Sequence, residues 1–151
     1  MNTDDQTQLH VVLGATGGVG GAITHELEAR GVPTRAVSRS GAPVGANAMP
    51  LAADITDPLQ ARRAVEGATV VYHAAMPAYH RWVQEVPAMN RSVVDAVRAA
   101  GARLVYVDNL YMYGPTTDVR TEDTPQRATD KKGVLRGKLA AELLSAHDRG
   151  E

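Results

Sequence analysis

The residues best placed to do chemistry lie near the start of the chain, in Gly14-Ala15-Thr16-Gly17-Gly18-Val19-Gly20. A short apolar run, Leu9-His10-Val11-Val12-Leu13, precedes them, and a segment with Ile23 and Leu27 four apart follows. Strand, glycine loop and helix in this order form a phosphate-binding turn. Glycines at 14, 17 and 20 let the backbone turn sharply and come close to a diphosphate. The helix start behind them offers free N–H donors and about half a positive charge. The ligand this implies is a dinucleotide.

A second cluster refines that ligand. The second strand ends in Thr34-Arg35-Ala36-Val37-Ser38-Arg39-Ser40. A carboxylate at its end would hydrogen-bond the ribose 2′-hydroxyl of NAD, whereas an arginine pairs with the 2′-phosphate of NADP. Ser38 and Arg39, with Arg35 upstream and no acid, favour NADP(H) over NAD. Asp54, with Ile55 beside it, follows the third strand, where its carboxylate could accept from an adenine amino group. It could equally cap the turn at Thr56-Asp57-Pro58. In His73-Ala74-Ala75-Met76-Pro77 the small Ala74 and Ala75 let the backbone lie against a ribose or nicotinamide. The cofactor set is therefore Gly14, Thr16, Gly17, Gly18, Val19 and Gly20, then Ser38, Arg39, Asp54, Ile55, Ala74 and Ala75.

These residues need a scaffold to bring them together. Apolar runs are short and continuous, as in strands buried on both faces, at about 9–13, 34–38, 49–52, 69–74 and 103–108. Helical patterns fall between them, at about 18–30, 57–66, 80–100 and 130–148. In the third, Val93, Val94, Val97 and Ala100 are helically spaced and Gly101 is a C-terminal cap residue. The last begins near Thr129 or Asp130 and carries Leu135, Leu139 and Leu143. Gly137 inside it costs about 1 kcal/mol relative to Ala and marks a close approach. The loops at 39–48 and 114–129 hold much of the Gly, Pro, Thr and Asp; the longer one is functional or mobile. Strands alternating with helices predict an α/β fold, a doubly wound parallel sheet of five strands in the order 3-2-1-4-5.

Composition narrows the function class. The chain has 151 residues, 44% hydrophobic and 22% charged, enough for one domain with a real core. A net charge of −1 argues against a general nucleic-acid surface. No apolar stretch is long enough to span a bilayer. The polar, acidic segment 1–8 reads as a flexible N-terminus without signal-peptide character, leaving the cytoplasm as the expected location. Cysteine is absent, excluding disulfides and thiolate chemistry. His73, His80 and His147 fit no compact metal-ligand set. His73 falls beside the cofactor cleft and the other two at the surface. Trp82, with Tyr79 and Met76, would wall a substrate pocket or pack one helix end.

Over nearly all its length the chain resembles the extended and atypical short-chain dehydrogenase/reductases, the epimerase/dehydratase branch, in their N-terminal half. The glycine motif at 14–20, Leu51-Ala52-Ala53-Asp54 and the helix from Asn90 to Val97 resemble the family's cofactor loop, adenine site and central helix. The run from Leu104 through Asn109, Tyr111 and Tyr113 to Gly114 resembles the strand and loop carrying its catalytic serine. Lys138-Leu139-Ala140-Ala141-Glu142 resembles the segment around its catalytic lysine. The resemblance implies a Ser–Tyr–Lys mechanism, in which a lysine cation lets a phenol of ordinary pKa about 10 work near neutral pH and also holds the cofactor ribose. Here the position four before Lys138 is Val134, and the serine position is Asn109, or Asp108 if the loop shifts by one. The resemblance thus leaves Asn109, Tyr111, Tyr113 and Lys138 as catalytic candidates, with Asp108 as another base and Lys138 also as a ribose contact.

Three readings follow. The first is an NADP(H)-binding oxidoreductase- or epimerase/dehydratase-like protein with atypical catalytic groups, acting on a small-molecule substrate. The second is a cofactor-binding sensor or interaction module without turnover. The third is the N-terminal half of a longer enzyme, lacking the usual C-terminal substrate domain. With no sixth strand, the edge of strand five would stay open unless a second subunit covers it, so a homo-oligomer is expected.

Overall fold

The computed structural model describes residues 8–151, so all but Gln8 of the N-terminal segment expected to be flexible lies outside the described residues. Five parallel strands, β1 (Leu9–Leu13), β2 (Thr34–Ser38), β3 (Met49–Ala52), β4 (Ala68–His73) and β5 (Arg103–Tyr106), form one sheet in the order β3-β2-β1-β4-β5. The helices are α1 (Gly18–Ala29), α2 (Pro58–Val65), α3 (Trp82–Ala100) and α4 (Lys131–Asp148). This is the doubly wound fold and strand order that the sequence pattern predicts.

Burial explains why the runs become strands. Val11, Val12 and Leu13 of central β1 are fully buried, with alternate residues in different cores. Val11 and Leu13 join Val37 and Val71 against Ala61, Ala64 and Val65 of α2 and Val93, Ala96 and Val97 of α3. Val12 and Ala36 face Leu27 and Ile23 of α1. Edge strand β3 is largely exposed and contains Pro50, a residue without an N–H that only an edge tolerates.

Local signals set the helix ends. Asp57 accepts from the amides of Leu59 and Gln60, both at 2.9 Å, with Pro58 in the first turn of α2. Asp130 caps α4 through Lys132 and Gly133, both at 3.0 Å. Gly101 ends α3 at φ 64°, in the left-handed region. Two boundaries differ from the sequence expectation. A 3-10 turn, Tyr79–Arg81, precedes α3, and β5 stops at Tyr106 rather than 108. Val107 still donates to the His73 carbonyl, after which the chain turns away and Asp108 pairs with Arg136 of α4. No helix among the described residues is long and apolar enough to cross a membrane.

Candidate functional site

The phosphate loop is tied to the neighbouring strand before it turns. The amides of Gly14 and Ala15 both donate to the Val37 carbonyl, at 2.9 and 3.0 Å. Gly14 has φ +85°, and a Cβ there would lie 2.7 Å from the backbone N and Cα of Ala75. Only glycine therefore lets the chain leaving β4 pass across the loop. Gly17 N–H closes the turn on the Gly14 carbonyl at 3.0 Å, and a Cβ on Gly20 would sit 2.2 Å from that same oxygen. The loop is thus a backbone cradle that Cβ atoms would fill. The first-turn amides of α1, whose N-terminus has no side-chain cap, lie directly behind it. Thr16, Gly18 and Val19 are exposed here, whereas Gly20 is buried against the turn.

A cleft of about 580 Å³ opens at the C-terminal ends of β1, β2 and β4. Gly14, Thr16 and Gly17 form one part of its wall, Ser38, Arg39, Asp54 and Ile55 another, and Ala74 and Ala75 a third. Gly18, Val19 and Gly20 do not line it. Ser38 holds the loop after β2 by accepting from Gly41 N–H at 3.0 Å. The Asp54 carboxylate accepts from the hydroxyl of Thr56 at 2.7 Å and its amide at 3.0 Å. Those bonds, the hydroxyl first, and the Arg39 guanidinium hold its pKa below the usual carboxylate value. Asp54 thus caps its turn while facing the cleft. Arg35 does not join this group: its guanidinium donates to the Ala64 and Glu66 carbonyls at 2.9 and 2.8 Å, fastening the end of α2. Arg35 is the second residue of β2, so it reaches the end of α2 while the cleft opens at the other end of the strand, beyond Val37 on the same side.

Sequence reasoning missed the opposite wall. Arg81, Gln84, Glu85 and Ala88 line the cleft, together with Met89. Their spacing of three, four and seven marks one helix face, but nothing in the spacing says which way that face points.

The candidate catalytic residues lie elsewhere; none of Asn109, Tyr111, Tyr113 or Lys138 lines the cleft. Asn109 accepts from Tyr111 N–H at 3.1 Å, shaping a 3-10 turn over Tyr111–Tyr113. Tyr111 stacks edge-on against Trp82, ring centroids 5.5 Å apart, and its hydrogen bond with Tyr79 raises its phenol pKa. That direction is opposite to what a catalytic phenol near neutral pH needs. Lys132 sits over the Tyr79 ring, 3.0 Å from its centroid. Tyr113 is half-buried. Trp82 is buried and packs with Val86 and Leu139, so it supports a helix end, while Met76 reaches the cleft.

Helix α4 turns Arg136 inward and Lys138 outward, since two positions differ by about 200° around a helix. The Arg136 side chain is fully buried, and Lys138 and Val134 are exposed. Arg136 pairs with Asp108 through Nε at 2.9 Å and through a second, shorter contact, and donates to the Tyr106 hydroxyl at 3.2 Å. Tyr106 in turn shares hydrogen bonds with Asn90, which meets His73 Nε2 at 3.3 Å. His73 is therefore a core residue rather than part of the cleft wall. Burial, above all, pushes its pKa down to about 4, keeping it neutral near pH 7. Among the described residues no His, Asp and Glu side chains gather closely enough to hold a metal ion.

Comparison with known proteins agrees with this geometry. A family profile described as NAD(P)H-binding matches residues 14–147. No curated protein matches the sequence. Among solved structures, a short-chain dehydrogenase/reductase superfamily protein from Agrobacterium tumefaciens with bound NAD is 24% identical, with TM-score 0.78, over 94% of this chain and 45% of its own. Uronate dehydrogenase from the same organism is 21% identical, with TM-score 0.78, over 94% and 56%. UDP-glucose 4-epimerase from Bifidobacterium longum, in complex with NAD+ and UDP, is 16% identical, with TM-score 0.81, over 94% and 50%. At these identities the likeness is one of fold, and the chain spans about half the length of the structures it matches. With its glycine cradle, its cleft at the strand ends and a profile match over most of its length, the chain belongs to the NAD(P)H-binding family.

Proposed function

We propose that this chain binds NADP(H) and forms the cofactor-binding part of a short-chain dehydrogenase/reductase-type oxidoreductase or epimerase/dehydratase with atypical acid–base groups. The observation that carries the reading is the cleft itself. It gathers the glycine cradle, Ser38, Arg39 and Asp54 around one space, with no carboxylate at the end of β2. The polar groups fit the cofactor: backbone amides to donate to a diphosphate, an exposed guanidinium to donate to a 2′-phosphate and the Asp54 carboxylate to accept from an adenine amino group. When bound, a nicotinamide supplies hydride transfer to or from a small organic substrate. Asn109, Tyr111 and Tyr113 lie just beyond the end of β5 and outside the cleft wall, and they are the groups proposed for the substrate side. Among the described residues β5 pairs with β4 alone; self-association over its other edge completes the proposed reading, and a monomer by light scattering would refute that part.

The test is calorimetric titration with NADPH and NADH separately, repeated on Arg39→Ala. NADPH should bind more tightly, and loss of a charge-assisted bond worth about 1.5–3 kcal/mol should remove at least tenfold of that advantage. Binding of neither cofactor refutes the reading. NADPH binding unchanged in Arg39→Ala refutes the preference.

A cofactor-binding sensor without turnover is the second reading, favoured by one observation: α4 buries Arg136 and leaves Val134 and Lys138 exposed, so no Tyr–Lys pair faces the cleft. Turnover on a carbonyl panel, lost in Tyr111→Phe or Tyr113→Phe, would dismiss it.

A further inference from the structure

Resting on the cofactor reading above, we propose that Arg81 is a second cationic arm of the cleft. It grips the diphosphate of the bound dinucleotide from the side opposite Arg39, and Glu85 holds it in reserve until the ligand arrives.

The charges of the cleft wall point there. Its cations are Arg39, just after β2, and Arg81, in the 3-10 turn before α3, and its carboxylates are Asp54, just after β3, and Glu85, in the first turn of α3. The glycine loop follows β1, whose neighbours in the sheet are β2 and β4. Arg39 follows β2 and Arg81 lies in the connection that follows β4, so the two guanidiniums flank the phosphate loop. A dinucleotide carrying a 2′-phosphate brings two separate anionic centres, a diphosphate and a monoester of about −1.5 to −2 charge. Arg39 serves the monoester, and the α1 amides meet one side of the diphosphate. Arg81 is the remaining cation on the wall.

Arg81 is also free to move. It is 56% exposed and pairs with Glu85 one helical turn on, a carboxylate 26% exposed in the same wall. An exposed pair of this spacing is weak, whereas a guanidinium–phosphate fork is among the stronger hydrogen-bonded contacts. Exchanging Glu85 for a phosphate oxygen is therefore favourable, and Glu85 keeps Arg81 near the cleft meanwhile.

The test measures affinity of wild type, Arg81→Ala and Glu85→Gln for NADPH and for adenosine 2′-phosphate, which lacks the diphosphate. Arg81→Ala should weaken NADPH about tenfold and leave adenosine 2′-phosphate within about twofold. Glu85→Gln, by releasing the arm, should tighten NADPH about two- to threefold. Equal losses on both ligands, no loss on NADPH in Arg81→Ala, or NADPH weakened in Glu85→Gln would overturn the proposal while leaving the cofactor reading intact. Wild type that binds neither ligand would overturn the cofactor reading, and this inference with it.

Discussion

Replacing Gly20 by alanine would place a Cβ 2.2 Å from the Gly14 carbonyl oxygen and 2.8 Å from its carbon. Side-chain carbons do not approach other atoms closer than 3.0 Å, so helix and loop must separate by at least 0.8 Å. Both partners are backbone, so no flexible side chain can yield. The displaced oxygen is the one that accepts from Gly17 N–H at 3.0 Å, and the turn loosens with it. Overpacking costs about 1–3 kcal/mol and a weakened hydrogen bond about 1. The gain in helix propensity from Gly to Ala returns about 1. The net is a loss of about 2 kcal/mol, equivalent to a Tm lower by roughly 4–8 °C in a domain of this size. NADPH affinity should fall more than tenfold, because the amides that would meet the diphosphate move with the loop. Gly18→Ala is the internal comparison: its Cβ meets nothing within 4 Å, so stability should hold or rise by up to about 1 kcal/mol. Thermal melting and calorimetric titration of both variants decide the matter. Gly20→Ala that melts and binds like wild type would refute the close-approach argument.

Two other perturbations probe the core behind the site. His73 titrates near 4 when folded and near 6.5 when unfolded. Its lowered folded pKa means that the unfolded chain takes up the proton first. This contribution to stability is complete above pH 6.5, falls as pH drops from 6.5 toward 4, and amounts to about 3 kcal/mol in all. Urea unfolding across that range should show the slope, and His73→Gln should flatten it; a slope unchanged in His73→Gln would refute the assignment. Asp108→Asn should destabilise more than Arg136→Met, because the first strands a fully buried guanidinium while the second leaves a partly solvated carboxylate. Breaking a buried pair costs about 3–5 kcal/mol and replacing a buried charge by an apolar side chain of similar size costs less. Urea midpoints giving the reverse order would contradict the burial of Arg136.

Much of the architecture was legible because it depends on local pattern. Continuous apolar runs separated by helical spacing permit few solutions other than a parallel sheet, and Asp57, Gly101 and Asp130 announce helix ends through their own backbone hydrogen bonds and dihedral angles. Residues on the turns leaving β1, β2, β3 and β4 could be assigned to one cleft because the strand order forces those turns to the same end of the sheet. Arg35 and the α3 wall were not legible. A strand residue's reach depends on which side of the pleat it takes and on what waits there, and Arg35 found the carbonyls closing α2. Arg81, Gln84 and Glu85 share a face that spacing reveals, but only the burial of Val86 and Val93 on the other side of the helix turns that face to the cleft.

The last helix draws the line most sharply. The sequence pattern predicts a helix at about 130–148, which forms over Lys131–Asp148, and the family resemblance implies that Lys138 stands at the lysine position and Val134 at that of the phenol. Tertiary structure decided the rotation of that helix about its axis. Arg136 could be buried only where Asp108, Tyr106 and the rings near them compensate its charge, and satisfying that charge swings Lys138 to the solvent. A spacing rule names the residues that share a face, but the direction of the face follows from which side chain finds partners inside.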